Sequence, residues 1–218
     1  MSDVSVIKIP NTDEIVELKI KLFNALENVY MQRCKFPAKI REGNLQKSKV
    51  INFGYGDRRG KGFGIFRGSR DYPETDLLLK EYFKKLCPLF NYSVITVNRD
   101  MMMKKHLDKK NVGISCLTCL GKYTEGGGMI VYKDSYDEIG KTYNCKNNVI
   151  SFDGSTMPHE TESFIGRRYT LVFYNKSKKI DKSCSLEQAI LRDKEIEELV
   201  QLSLKYDSEI EEKLEELV

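Results

Sequence analysis

Gly166-Arg167-Arg168-Tyr169-Thr170-Leu171-Val172-Phe173-Tyr174 is a run of β-branched and aromatic residues headed by two arginines. That composition fits a pleated, half-buried surface, and the segment reads as a strand. Side chains alternate along a strand, which places Arg168, Thr170, Val172 and Tyr174 on one face and Arg167 on the other. Only one of the two guanidiniums can then point inward, and Arg168 is expected there. Upstream lie four runs of the same kind: Tyr92–Asn98, Ile114–Leu120, Gly128–Tyr132 and Val149–Phe152. Gly, Asn, Asp and Pro turn signals separate them, with no helical pattern between. Such a series predicts an antiparallel sandwich or open barrel.

On the amino-terminal side, Ile15, Leu18, Leu22, Leu26 and Val29 recur at helical spacing and predict a helix over 13–33. Asn11, Thr12 or Asp13 is available as its cap. A second helix is expected from Glu74 to Leu86, ended by Cys87-Pro88. Residues 37–73 between them are rich in Gly, Arg and Lys and read as a loop. Beyond the barrel, residues 185–217 predict a highly charged helix, broken near Asp207-Ser208. It either lies against the barrel or serves as a surface for a partner or for self-association. The expected division is a domain over 1–184, with a basic helical and loop part (1–91) and a barrel core (92–175), followed by an acidic helix over 185–218.

The chain has 218 residues, enough for one well-buried domain with appendages. Its net charge of +4 conceals an asymmetry. Residues 185–218 carry 11 acidic and 4 basic side chains, a net of −7, which leaves +11 on residues 1–184. A basic body favours polyanions, of which nucleic acid is the commonest. No stretch approaches the ~20 apolar residues of a membrane span. The amino terminus lacks a basic segment followed by an apolar one, so secretion is not expected. Cys34, Cys87, Cys116, Cys119, Cys145 and Cys184 are therefore expected as free thiols in a soluble cytoplasmic or nuclear protein.

Only two histidines occur, His106 and His159. His106-Leu107-Asp108 offers an imidazole and a carboxylate two residues apart, which in an extended segment point the same way. Two imidazoles and one carboxylate on one face of an octahedron hold non-haem Fe(II) and leave positions open for a cosubstrate and O₂. His159 supplies the third ligand if its segment folds back beside His106. A His-x-Asp by itself is more often a surface pair. Arg168, nine residues after His159, raises the odds, because a guanidinium at the inner end of a strand can clamp a carboxylate bidentately. Cys116-x-x-Cys119 lies within a predicted strand and has no second pair, which argues against a zinc site.

The order His106-x-Asp108, His159, Arg168 resembles that of the 2-oxoglutarate- and Fe(II)-dependent dioxygenases. Within that superfamily, Asn98-Arg99-Asp100, Asn111 to Ser115, Leu120-Gly121-Lys122-Tyr123, Gly126-Gly127, Phe152-Asp153-Gly154 and Gly166-Arg167-Arg168-Tyr169 are similar to the TET/JBP branch. That branch oxidises the 5-methyl group of pyrimidines in DNA. The match covers residues 92–175. The cysteine-rich zinc-bearing region of the animal members has no counterpart here.

The resemblance implies an α+β fold: a double-stranded β-helix (jelly-roll, cupin-like) core with flanking N-terminal helices and the charged C-terminal helix. It further implies that His106, Asp108 and His159 bind Fe(II), that Arg168 pairs with the distal carboxylate of 2-oxoglutarate, and that Asn98 hydrogen-bonds the cosubstrate. O₂ is the second cosubstrate. Asn111 and Ser115 line a substrate pocket, form a turn, or support the ligands. The implied reaction converts 2-oxoglutarate to succinate and CO₂ while hydroxylating a methyl group of 5-methylcytosine or thymine. The alternative is a hydroxylase of a protein side chain, RNA or a small molecule; a barrel that only binds has no need of all four residues. Arg58, Arg59 and Lys61, interleaved with Phe53, Tyr55, Phe63 and Phe66, suit contact with DNA phosphates and bases. The competing reading is a solvated loop whose arginines pair with the acidic tail.

Overall fold

Alternation and helical periodicity translate into thirteen elements in the computed structural model, which describes residues 4–35, 50–58 and 62–176. They are β1 (Ser5–Lys8), α1 (Asp13–Lys35), β2 (Val50–Asp57), β3 (Phe63–Ile65), α2 (Arg67–Asp71), α3 (Pro73–Leu86), β4 (Val94–Arg99), β5 (Asn111–Gly126), β6 (Met129–Val131), β7 (Lys141–Tyr143), β8 (Asn148–Phe152), β9 (His159–Thr161) and β10 (Phe164–Lys176). Among the described residues the strands form a seven-stranded sheet, ordered β1-β8-β5-β10-β4-β2-β3, and a three-stranded sheet, β7-β6-β9. Every strand pairing among the described residues is antiparallel, as in β10 against β4 and β5. The result is a mixed helix and antiparallel two-sheet fold, as expected.

Both faces of the larger sheet are buried, by different partners. On one face, Ile15, Leu18, Leu22, Leu26 and Val29 of α1 join Leu79, Tyr82 and Phe83 of α3 over Ile95, Val97, Tyr169, Leu171 and Phe173. Each fully buried side chain of this size stabilises the fold by about 1.5–3 kcal/mol. Phe83 stacks on Phe173 with centroids 3.7 Å apart, and the Tyr30 hydroxyl donates to the Val97 carbonyl, 3.0 Å. Thr12 caps α1, its hydroxyl accepting from the Ile15 amide at 3.4 Å. On the other face, Leu117, Cys119, Tyr123, Ile150 and Phe152 pack with Met129 and Val131 of the smaller sheet. Cys116 and Cys119 consequently sit on opposite faces of β5.

Three expectations need correction. Residues 50–57 and 63–65 are not loop but a hairpin on the edge of the larger sheet, and β1 pairs with β8. The first 91 residues thus contribute three strands as well as helices. Glycines masked the hairpin: Gly54, at φ +80°, brings its backbone so near Ser93 that a Cβ would stand 2.3 Å from the Ser93 carbonyl oxygen. Second, β5 and β10 run far past the sequence-predicted segments. Third, His106 and Asp108 do not lie on a strand: His106 forms an isolated antiparallel bridge with His159, and a turn follows. Arg59, Lys61, Cys34's side chain, Cys184 and the acidic segment 185–218 lie outside the described residues. Among those described, no helix is long and apolar enough to cross a membrane.

Candidate metal centre

The bridge between His106 and His159 is what assembles the cluster. Each residue's amide donates to the other's carbonyl at 3.0 Å, so two segments 53 positions apart are clasped at the two histidines themselves. Asp108 is fixed separately, its amide donating to the Gly154 carbonyl at 2.8 Å. The one ligand atom offered by each side chain lies within 4.8 Å of the other two. His106 Nε2 stands 3.8 Å from Asp108 Oδ1, and His159 Nε2 stands 3.7 Å from Asp108 Oδ2. Cis ligands about 2.1 Å from a shared first-row ion stand about 3 Å apart, so a widest separation of 4.8 Å would close by about 2 Å around an ion.

The ring orientations fit a metal. His106 Nδ1 lies 2.7 Å from the Lys104 carbonyl oxygen and His159 Nδ1 lies 3.0 Å from that of Met157. A carbonyl only accepts, so each Nδ1 carries the proton and each Nε2 presents its lone pair toward Asp108. Burial pushes the His159 imidazole below its ordinary pKa; the Met157 carbonyl opposes this, the nearby His106 adds to it, and Asp108 opposes it again. The net direction favours the neutral, ligating form. Phe152 packs edge-on against the His159 ring at 4.9 Å. His159 is nearly enclosed, while the His106 and Asp108 side chains are 30% and 36% exposed and leave one side of the cluster open.

Asn111 donates from Nδ2 to Asp108 Oδ2 at 3.2 Å and to the Ser115 hydroxyl at 3.3 Å. The two are joined behind the carboxylate, and Ser115 is buried.

Arg168 lies on the inner face of β10, as alternation requires, with 2% exposure. Its Nε donates to the Gly127 carbonyl at 3.0 Å and a terminal nitrogen to the Thr170 hydroxyl at 2.5 Å. Phe164 and Tyr123 present rings 5.2 and 5.9 Å from the guanidinium carbon. Among the described residues no carboxylate forms an ion pair with it. Arg167 faces the helices instead and binds both Glu27 oxygens and Asp100. Asn98 pairs with Thr170 across β4–β10 and is half-buried beside Thr96, whose hydroxyl bonds Asn52 and Tyr174.

Asp100, part of the Asn98-Arg99-Asp100 resemblance, has a structural role that the sequence does not show. It holds a left-handed backbone, φ +49°, and exchanges hydrogen bonds with the Arg168 backbone, accepting at Oδ1 and donating from its amide, both at 2.8 Å. Asp tolerates that conformation, but nothing in the sequence marks it. Gly126 and Gly127 take positive φ in the turn between β5 and β6; a Cβ on Gly127 would press the Tyr123 ring and the Arg168 side chain. Arg58 turns back on Gly62, its amide donating to that carbonyl at 3.1 Å.

No family model matches the sequence, and no curated protein matches it. Solved structures do. NgTET1 in complex with 5mC DNA is similar with a TM-score of 0.56 and 14% identity, over 80% of this chain and 72% of that one. A prolyl-4-hydroxylase from Pseudomonas putida matches with a TM-score of 0.46 and 13% identity, over 82% and 94%. An oxidoreductase of the 2OG-Fe(II) oxygenase family from Burkholderia pseudomallei matches with 0.42 and 16%, over 77% and 92%. At these identities the likeness is one of fold, and it rests on the first of the three.

Proposed function

We propose that this chain is an Fe(II)- and 2-oxoglutarate-dependent dioxygenase that hydroxylates the 5-methyl group of a pyrimidine base in DNA, 5-methylcytosine or thymine. The observation that carries the reading is Arg168, a buried guanidinium that pairs with no carboxylate among the described residues, bordering the same inter-sheet core as the His106–Asp108–His159 cluster. Phe152 of that core packs on His159, and Tyr123 of that core lies beside Arg168. Burying an unpaired charge costs several kcal/mol, so the position calls for an anionic ligand.

His106, Asp108 and His159 hold Fe(II). When bound, the ion and its cosubstrate supply an oxidant able to attack a C–H bond, with 2-oxoglutarate leaving as succinate and CO₂. The chain's residues do the rest. The Lys104 and Met157 carbonyls keep both histidines in the ligating tautomer, and Asn111 holds Asp108. Arg168, backed by Thr170, receives the distal carboxylate of 2-oxoglutarate in a two-pronged contact. Asn98, across from Thr170, offers its amide to the cosubstrate. Leu117, Ile150 and Phe152 keep water from the inner side of the cluster.

The substrate class draws support from charge and from fold. Lys104, Lys109 and Lys110 are exposed and flank His106 and Asp108 in sequence, which supplies positive charge suited to a phosphate backbone. Arg58 and, outside the described residues, Arg59 and Lys61 add to the positive charge of the sequence. NgTET1, to which the fold is similar, was solved in complex with 5mC DNA. A methyl group inside a duplex cannot reach an enclosed metal, so the base must leave the stack. The test is to incubate the protein aerobically with Fe(II), 2-oxoglutarate and 5-methylcytosine DNA and weigh the released nucleosides. A nucleoside one oxygen atom heavier, absent with His159→Ala, is expected; unchanged DNA from a protein that still makes succinate would move the substrate to another class.

A further inference from the structure

On the opposite face of β5 from the inter-sheet core, α1 and the segment before β8 border an open cavity of about 390 Å³. Lys19, Lys122 and Lys146 converge on it from three distant parts of the sequence. Ile20 and Phe23 of α1 and Leu120 of β5 supply apolar wall, and the amides of Asn24 and Asn147 stand at its edge. Among the described residues none of the three lysines pairs with a carboxylate.

Three ammonium groups around one cavity repel each other, and among the described residues no carboxylate pairs with them. Lys146 is anchored, its Nζ donating to the Tyr123 carbonyl at 2.8 Å and lying 4.7 Å over the Tyr123 ring, which leaves donors free. Lys122 reaches over the Phe23 ring at 5.9 Å. Lys19 is half-buried; burial, and then the field of Lys146, lower its pKa. An anion placed among the three would relieve both effects. The cavity is of the size that takes small molecules, about 300–1,000 Å³, and has the mixture such sites use: mostly apolar wall with a few convergent polar groups.

We propose that this cavity binds a phosphorylated, ring-bearing small molecule of the nucleotide class. Its phosphates lie among Lys19, Lys122 and Lys146, and its ring lies on Ile20, Phe23 and Leu120. Asn24 and Asn147 offer amide donors and acceptors to a heterocycle's edge. The site is distinct from the metal centre, since Leu120 and Lys122 leave β5 on the side facing the helices. It does not depend on the dioxygenase reading.

The experiment titrates the full chain with ADP, AMP, orthophosphate and a short DNA duplex by calorimetry, and repeats the ADP arm with Lys19→Gln and Lys146→Gln. Saturable one-site binding of ADP, weakened about tenfold or more in each variant, is expected. Orthophosphate should bind more weakly and compete with ADP. In a parallel NMR titration of ¹³C-labelled lysine, the lowered Lys19 pKa should rise when ADP is present. Melting curves of both variants establish that they fold. ADP affinity indifferent to both substitutions, or no saturable binding at millimolar ADP, overturns the proposal. So does an effect of both lysines on duplex binding alone, which would make the cavity part of a DNA surface.

Discussion

Arg168 carries a full charge with almost no exposure, held by a carbonyl, a hydroxyl and two aromatic rings. A two-pronged contact to a carboxylate contributes about 3 kcal/mol, so Arg168→Met is expected to weaken 2-oxoglutarate binding about 100-fold. Fe(II) affinity should stay within about threefold, since the ligands are untouched. Anaerobic titration with each component separates the two. Equal loss of iron and cosubstrate binding would mean that Arg168 supports the fold instead. The candidate metal cluster, Arg168 and its inward direction were legible, because they depend only on residue type, order and a period of two. The carbonyls of Lys104 and Met157 were not, since every residue has one and only the folded backbone selects which meets an imidazole. The three-lysine cavity was equally invisible: positions 19, 122 and 146 share no local pattern.

At the scale of elements, α1 is joined to β10 by a polar clip as well as by packing. Glu27 accepts from Arg167 at 2.8 and 2.9 Å and from the Tyr169 hydroxyl at 2.5 Å. Burial alone would raise the Glu27 pKa, but the Tyr169 and Arg167 hydrogen bonds outweigh it and hold it below the ordinary 4.5. A folded-state value below the unfolded one gives stability that is present above the ordinary value and lost as pH falls through the lowered one. Glu27→Gln is therefore expected to destabilise the protein by about 1–2 kcal/mol at pH 7. The gap in melting temperature to the native chain should close as the pH drops below 4.5. A gap unchanged in acid would show that the carboxylate charge is not what matters.

Element by element, legibility followed the strength of periodicity. α1 and α3 were readable because Ile15, Leu18, Leu22, Leu26 and Val29 mark a buried stripe and Cys87-Pro88 a stop. The hairpin β2–β3 was not, because Gly54 and Gly56 look like loop residues until strand pairing places them against Ser93, Val94 and Phe66. At three residues, β9 is too short for any pattern, yet it carries His159.

The whole molecule divides its charge unevenly, with +11 on residues 1–184 and −7 on residues 185–218. If the basic part meets DNA, affinity must fall steeply with salt, and a segment of net −7 is expected to compete with phosphate for positive charge. Deleting residues 185–218 is expected to tighten binding to a DNA duplex, more at low salt than at high, without loss of the melting transition. Unchanged or weaker binding would remove the competition.

The most direct measurement of the proposed activity is succinate release from 2-oxoglutarate with Fe(II) and ascorbate, run without DNA, with unmodified DNA and with 5-methylcytosine DNA. A rate stimulated by 5-methylcytosine DNA and abolished by His159→Ala is the expected result. No succinate in any arm, from protein with confirmed iron loading, would contradict the dioxygenase; succinate indifferent to DNA would contradict the substrate.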